Sequence, residues 1–248
     1  MMNFGYQVWD AARVLCCYLE QHEGVCKGRK VLELGAGCGL IGILAARLGA
    51  EVTLTDTATV LPILRLNAEL NASPSDAPGG LHVQELEWGM DVRESFPRGQ
   101  FDVIVGSDLT YSDNLHCLLL VTLLQLVSED TEVVLAVPRR RPDDVQKWCV
   151  RFQQYFDVEV LATEEDVAGY SSLGVFIKSG RPISIFRLRY VGPPPFEEDL
   201  TAVLAGLNAE DADDLLARLG LRDSDLECIE GAGEVDGPAV EYAFHSTN

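Results

Sequence analysis

Acids and glycines cluster at the ends of two apolar segments near the start of the chain. Residues 31–56 read VLELGAGCGLIGILAARLGAEVTLTD: Glu33 lies in the first apolar segment, glycines follow at 35, 37, 39 and 42, and Asp56 ends the second segment. Glycines let a backbone turn sharply and approach a ligand, and the helix that follows offers the positive end of its dipole. A carboxylate at the end of the second strand can accept both hydroxyls of a ribose. The pattern predicts a site for a cofactor that contains a nucleoside.

Two cofactors are compatible with these glycines. Residues 37–42 match the dinucleotide fingerprint G-x-G-x-x-G, whereas residues 33–39 match the E-x-G-x-G-x-G loop of enzymes that bind S-adenosylmethionine. The glycine series begins at Gly35, directly after the strand, which places Gly37 two residues too late for a dinucleotide. A carboxylate at Glu33 is costly to bury unless it is paired, and a ligand ammonium or the amides of its own loop would compensate it. We therefore favour S-adenosylmethionine and keep a dinucleotide oxidoreductase as an alternative.

A third acid follows a later strand. In the segment FDVIVGSDLTY, residues 101–111, Asp108 follows the predicted strand, at the edge where open α/β sheets bind ligands. Tyr111 lies three residues further on. Asp108 could instead cap a helix that begins near Ser112, and Asp56 could cap one that begins near Thr57. Both acids therefore have a structural as well as a chemical interpretation.

The segments around these acids alternate between strand and helix patterns. Strands are predicted at 30–34, 51–55, 81–86, 101–106, 132–137 and 157–161, and helices at 9–20, 40–48, 57–71, 113–127 and 142–155. Short β-branched strands between amphipathic helices predict a mostly parallel α/β sheet with helices on both faces. A last strand at 183–190 has no helix before it, so we expect it to run antiparallel beside 157–161. The expected sheet has seven strands with the last one reversed.

The composition restricts the partners and the compartment. The chain carries 19 basic and 39 acidic residues, a net charge of −20, which disfavours binding to nucleic acid or to an anionic membrane. Its four histidines have no metal-ligand spacing, and its seven cysteines form no C-x-x-C pair, so we expect free thiols and no metal site. No basic segment followed by an apolar core opens the chain, so we expect a protein of the cytoplasm, or also of the nucleus, and take a monomer as the default.

The composition changes after the last predicted strand. Residues 191–248 begin VGPPPF and carry 14 acids and two arginines, a net charge of −12. Three consecutive prolines are typical of a stiff, extended linker. We expect a methyltransferase domain over 1–190 and, over 191–248, a proline-rich linker with an acidic appendage that is either helical or disordered.

The motifs together resemble a known family. QVWDAARVL, VLELGAGCGLIG, LTD, ELEWG and GSDLTY occur in the order typical of the seven-β-strand protein-lysine methyltransferases of the methyltransferase-16 group, in particular the methyltransferase-like 21 subgroup. The resemblance covers about residues 7–162. It implies a Rossmann-like class I fold with strand order 3-2-1-4-5-7-6, S-adenosylmethionine as cofactor and S-adenosylhomocysteine as product.

The resemblance also implies residue roles. The cofactor-binding residues would be Trp9, Gly35, Ala36, Gly37, Asp56, Trp88 and Ser107, with Trp9 near the methionine end, Asp56 on the ribose and Trp88 beside the adenine. We add Glu33 to this set because of the cost of burying its carboxylate. Asp108 would orient a lysine ε-amine for direct attack on the sulfonium methyl, and Tyr111 would shape the lysine channel. The segment PRRRP, residues 138–142, is expected either to be solvated or to touch an acidic patch of the substrate.

The expected substrate is a protein. Members of the subgroup modify chaperones, AAA ATPases and elongation factors. The alternatives are a methyltransferase for small molecules and a non-catalytic module that binds the cofactor and a partner. The D-x-x-Y motif differs from the N-P-P-Y motifs that hold planar amides, which disfavours glutamine and nucleobase targets.

Overall fold

The structure is a computed structural model that describes residues 4–71, 80–142, 144–167 and 180–192. Its centre is one seven-stranded sheet in the order β3-β2-β1-β4-β5-β7-β6, as predicted. The strands are β1 (Lys30–Leu34), β2 (Glu51–Asp56), β3 (Leu81–Glu85), β4 (Val103–Ser107), β5 (Glu132–Pro138), β6 (Phe156–Thr163) and β7 (Ile183–Tyr190). Strands β1 to β5 pair in parallel, whereas β7 is antiparallel to both β5 and β6. The reversed last strand is therefore confirmed.

Helices cover the sheet on both faces. They are α1 (Asp10–Gln21), α2 (Leu40–Arg47), α3 (Leu61–Asn71), α4 (Asp113–Leu126), α5 (Asp144–Phe152) and the short α6 (Glu164–Val167). Alternate side chains of β1 enter different cores: Val31 packs with residues of α1 and α2, and Leu32 and Leu34 pack with residues of α4 and α5. Burial on both faces explains why the central strands are nearly all apolar.

The strand register brings the predicted acids to one edge. Glu33 pairs with Leu54, Leu34 with Gly106, and Ser107 with Ala136, so the loops after β1, β2, β4 and β5 leave the sheet on the same side. Strand β7 starts at this edge, since Pro138 pairs with Ile183. Parallel strands always gather their carboxyl ends in this way, and ligands bind there.

Helix α3 begins later than predicted. The segment from Thr57 to Val60 forms a turn in which the Thr57 carbonyl accepts the amides of Val60 and Leu61. Pro62 explains the delay, because it has no N–H and is tolerated only in the first turn of a helix. A helix that began at Thr57 would place this proline in its interior.

Several smaller features lie outside the predicted pattern. Helix α6 and two 3-10 turns, Phe4–Tyr6 and Glu23–Val25, were not predicted. The predicted linker and acidic appendage fall outside the described residues from 193 onward. Within the described ranges, no helix combines the length and apolarity needed to cross a membrane, and no group of three or more metal-ligating side chains is arranged to hold an ion.

Candidate active site

A cavity of about 740 Å³ opens at the carboxyl edge of the sheet. Nine of the ten predicted site residues line it: Trp9, Gly35, Ala36, Gly37, Asp56, Trp88, Ser107, Asp108 and Tyr111. The tenth, Glu33, is not among the described lining residues. The volume lies in the range of pockets that enclose ligands of cofactor size.

The glycine loop has a conformation that other residues rarely adopt. Gly35 and Gly37 have φ values of +58° and +54°. A Cβ on Gly35 would lie 2.8 Å from Leu109 Cδ2 and 3.2 Å from Trp88 Cζ2, both on side chains that line the cavity. The Ala36 amide donates to the Thr55 carbonyl at 2.9 Å, which ties the loop to β2. The loop is therefore held open by the absence of side chains at its glycines.

Glu33 supports this loop from below. It is buried in the sheet, and its Oε2 accepts the Gly42 amide of α2 at 2.8 Å. A Cβ on Gly42 would meet the same oxygen at 2.8 Å and Leu54 Cδ2 at 2.1 Å, so this glycine permits helix and strand to approach closely. Burial raises the pKa of Glu33 to about 8, and the Gly42 hydrogen bond opposes the shift. The sequence left two possible partners for this carboxyl group, a ligand ammonium or a nearby backbone amide. The structure places a backbone amide, that of Gly42, next to it.

Asp56 lines the cavity and also organises the loops around it. Its Oδ2 accepts the Gly37 amide at 2.8 Å, and its Oδ1 accepts the Thr57 amide at 2.7 Å. Burial raises its pKa, and these hydrogen bonds oppose the shift. A carboxylate has about four acceptor positions, so two amides leave room for ribose hydroxyls. Asp56 was also predicted as a cap for a helix that begins near Thr57. Because α3 begins at Leu61, Asp56 instead stabilises the turn before the helix.

The adenosine part of the cofactor fits this end of the cavity. Trp88, which follows β3, is half-buried and offers an indole ring beside Gly35. A flat aromatic surface next to an acceptor for two hydroxyls suits a purine nucleoside. S-adenosylmethionine therefore fits the residues that are present, with its aminocarboxypropyl part along Gly35–Gly37.

Asp108 follows β4 in a strained conformation. Its φ is +59°, which makes it the one non-glycine residue with positive φ among the described residues. Its amide donates to the Ala136 carbonyl at 2.9 Å, and its Oδ1 forms an ion pair with Arg140 Nη2. Burial raises the pKa of Asp108, while Arg140 and Arg181 oppose the shift. Backbone strain of this kind costs about 1–3 kcal/mol and concentrates at functional sites.

The alternative role of Asp108 as a helix cap does not match the geometry. Helix α4 begins at Asp113 with Ser112 as its N-cap residue. The Asp108 carboxylate instead pairs with Arg140, which follows the neighbouring strand β5, and its side chain lines the cavity.

Two aromatic side chains lie at the mouth of the cavity. Tyr111 is 50% exposed and Trp9 is 37% exposed, although both line the cavity. Burial raises the pKa of Tyr111, and the nearby charges of Asp56 and Asp108 add to the shift. Trp9 is the N-cap residue of α1, so the helix start fixes its position. Both rings are therefore in contact with the cavity and with solvent.

Arg140 and Arg181 also line the cavity and were not predicted as site residues. Arg140 belongs to the PRRRP segment, for which contact with solvent or with a substrate was expected; the structure pairs it with Asp108. Arg140 could have been predicted from the sequence. It follows β5, which is next to β4 in the expected strand order, so it lies near Asp108 at the end of β4. The Arg181 position depends on the β5–β7 register, for which the sequence has no marker.

The fold and the site together define a class I S-adenosylmethionine-dependent methyltransferase. The fold matches solved structures at low identity. A methyltransferase from Pyrococcus furiosus has a TM-score of 0.53 at 16% identity, covering 74% of this chain and 84% of that one. The CurJ carbon methyltransferase has a TM-score of 0.52 at 16% identity, covering 75% and 57%.

The chain belongs to the lysine methyltransferase family, whose sequence profile matches residues 1–154. Protein N-lysine methyltransferase METTL21A of Danio rerio is 41% identical over 152 residues, 61% of this chain and 68% of that protein. EEF1A lysine methyltransferase 3 of Mus musculus is 38% identical over 172 residues, 66% and 72% of the two chains. METTL21A of Mus musculus is 46% identical over 129 residues, and the match spans 52% of this chain and 58% of that protein.

Family membership confirms three predictions. The cofactor is S-adenosylmethionine, the product is S-adenosylhomocysteine, and the reaction is methyl transfer to lysine. The dinucleotide interpretation of the glycines is wrong. The roles of the individual site residues stay predictions that the geometry of the cavity supports.

Proposed function

We propose that the protein methylates the ε-amine of a lysine on the surface of a folded protein, with Asp108 and Tyr111 at the reacting end of the cavity. The observation that carries this proposal is the position of Asp108. It lies at the carboxyl end of β4, next to β1 with its glycine loop, in a cavity that is open to solvent beside the half-exposed Tyr111.

Side chains of this protein act on the methyl acceptor, which is the amine of the substrate lysine. A lysine ε-amine has a reference pKa of about 10.4 and must lose a proton before it can attack. Bound S-adenosylmethionine supplies an electrophilic methyl group on its sulfonium. Asp108 is paired with Arg140 through Oδ1, and we assign its carboxylate as the acceptor of a hydrogen bond from the amine. The rings of Trp9 and Tyr111 exclude water around the lysine, which favours its neutral form.

The cofactor roles follow the arrangement of the loops. Asp56 accepts the ribose hydroxyls, Trp88 flanks the adenine, and the backbone around Gly35, Ala36 and Ser107 borders the methionine part. Glu33 acts on this part indirectly, because its carboxyl group holds the start of α2 through Gly42. Holding the two reactants in a productive geometry supplies a large part of the rate acceleration of a bimolecular displacement.

The substrate we propose is a protein of the translation or folding machinery. The relative named EEF1A lysine methyltransferase 3 suggests an elongation factor, and the resemblance adds chaperones and AAA ATPases. The net charge of −20 disfavours nucleic acid as a partner and an anionic membrane as a docking surface. We further propose a monomer in the cytoplasm, or also in the nucleus.

Labelling of a cell lysate tests the proposal. The full-length protein is incubated with tritiated S-adenosylmethionine and lysate, the proteins are separated on a gel, and the labelled bands are hydrolysed. Recovery of methyl-lysine from one or a few bands supports the proposal and identifies the acceptor. Label in the small-molecule fraction alone supports the metabolite alternative. Binding of S-adenosylhomocysteine without any transfer supports the non-catalytic module.

A further inference from the structure

The charged residues of the cavity are segregated along the sheet edge. Asp56 and Glu87 lie at the β2 and β3 side, where the adenosine fits, whereas Arg140 and Arg181 lie at the β5 and β7 side. Asp108, on β4, lies between the two groups. At roughly 4.8 Å between neighbouring strands, β5 and β7 are about 10 and 14 Å from β1 and its glycine loop. The arginines therefore lie on the side where the acceptor, and not the cofactor tail, is expected.

Strand pairing places the backbone next to the two arginines at the same end of the sheet. Arg140 follows β5 and Arg181 precedes β7, and these strands pair from Glu132–Arg189 to Pro138–Ile183. The Arg139 amide extends this ladder by donating to the Pro182 carbonyl at 2.8 Å. Each arginine is therefore the first residue beyond this paired segment, which positions its backbone better than a free loop would.

This arrangement is unusual for a site that must accept a lysine. Asp108 is the acid nearest to the expected amine, and it already pairs with Arg140 and is influenced by Arg181. An incoming lysine must compete with Arg140 for the carboxylate, and a released guanidinium that stays half-buried needs a new anionic partner. The cavity residues on this side provide no second acid among those described.

We propose that Arg140 and Arg181 form a subsite for a carboxylate of the protein substrate, an aspartate or glutamate next to the target lysine. On binding, the substrate carboxylate forms an ion pair with Arg140, and the substrate amine replaces Arg140 as the partner of Asp108. The ion pair within the enzyme and the one on the substrate are replaced by an ion pair between Arg140 and the substrate carboxylate and by a hydrogen bond from the amine, which has released its proton to water, to Asp108. Guanidinium groups suit this role because they bind carboxylates through two parallel hydrogen bonds. The inference rests on the proposed function, and it adds the chemical nature of the sequence around the lysine.

Arg181 is the residue to change first, because Arg140 also holds Asp108. The acceptor is the protein labelled in the lysate experiment, purified, and its modified lysine is located by mass spectrometry. We expect an acid beside that lysine. Arg181→Glu should lower kcat/KM about tenfold or more through KM, with the dissociation constant of S-adenosylhomocysteine within about twofold of wild type. Arg181→Lys, which keeps the charge but loses the two parallel hydrogen bonds, should have a kcat/KM between those of the wild type and Arg181→Glu.

Arg189→Glu is the matched control. It makes the same charge change within β7, at an exposed position roughly 26 Å from Arg181, which precedes that strand, at about 3.3 Å per residue. We expect it to leave kcat/KM unchanged. Loss of activity in both variants would mean that the net charge of the enzyme matters and the subsite does not.

A double-mutant cycle tests the exchange itself. Changing the substrate acid to its amide should lower kcat/KM about fivefold or more for the wild type but have little effect for Arg140→Gln, because the two groups act together. Additive effects would overturn the exchange. Weaker binding of S-adenosylhomocysteine by Arg181→Glu would assign the arginine to the cofactor instead. If the wild type labels no protein at all, the proposed function fails and this inference with it, whereas labelled lysines without neighbouring acids remove this inference alone.

Discussion

Substitution of Gly35 by alanine tests whether the glycine loop shapes the cofactor cavity. Alanine at a φ of +58° costs about 1–2 kcal/mol, of which about 0.4–1 kcal/mol is recovered from the less flexible unfolded chain. The new methyl group would lie 2.8 Å from Leu109 and 3.2 Å from Trp88, and overpacking of this kind costs about 1–3 kcal/mol. We therefore expect the free energy of unfolding to fall by about 1–5 kcal/mol.

The same clash predicts the loss of cofactor affinity. Leu109 and Trp88 can relieve part of the overpacking by moving into the cavity that they line. A bound cofactor must push them back, so the part that was relieved, at most about 3 kcal/mol, opposes binding, and the dissociation constant should rise by up to about 150-fold. Titration calorimetry with S-adenosylhomocysteine measures the affinity, and denaturant unfolding measures the stability.

Gly28→Ala provides the control for this experiment. Gly28 has a φ of +73°, but a Cβ there would meet nothing within 4 Å, and it lies at the opposite edge of the sheet, before β1. It should lose only about 1 kcal/mol of stability and no affinity. Equal affinities for the two variants would refute the argument that Gly35 keeps the cavity open.

Three further substitutions separate the roles of the site residues. Asp56→Asn should weaken S-adenosylhomocysteine binding about tenfold or more by calorimetry, because the amide offers one acceptor oxygen where the Gly37 and Thr57 amides now use two; unchanged affinity would remove Asp56 from the ribose site. Glu33→Gln should remove the contribution of Glu33 to the pH dependence of stability. The pKa of Glu33 is about 8 in the folded protein, against a reference value of 4.5. Between these values the unfolded chain releases a proton that the folded chain keeps, so the free energy of unfolding of the wild type falls by about 1.4 kcal/mol per pH unit. Parallel stability curves for the two proteins from pH 5 to pH 8 would contradict a protonated Glu33. Tyr111→Ala should raise KM for the labelled protein acceptor and leave the affinity for S-adenosylhomocysteine unchanged, and the opposite pattern would move Tyr111 to the cofactor side.

Much of the site could be predicted from the sequence because local patterns determine where strands end. Asp56 and Asp108 each terminate an apolar strand, and parallel strands gather such residues at one edge without any knowledge of tertiary contacts. The position of Glu33 follows from alternation, since it shares the face of Val31 and therefore lies under α2. The sequence alone could not decide between the cofactor and Gly42 as its partner, because both are donors near the same strand end.

The remaining features depend on long-range geometry. The Asp108–Arg140 pair joins residues 32 positions apart, and it requires both the β4–β5 register and the positive φ of Asp108. A run of arginines is usually solvated, so its composition gave no reason to expect a half-buried member that pairs with Asp108. The position of Arg181 adds the antiparallel β5–β7 register, which no local signal determines.

The methyl-transfer rate of Asp108→Asn tests the central claim most directly. Asparagine tolerates positive φ better than alanine does, so this variant removes the charge and leaves the backbone in place. With the labelled lysate protein as acceptor, we predict a loss of kcat of about 100-fold or more, with the dissociation constant of S-adenosylhomocysteine within about twofold of wild type. A variant that binds the cofactor normally and transfers methyl groups at the wild-type rate would contradict the assignment of the lysine site to Asp108.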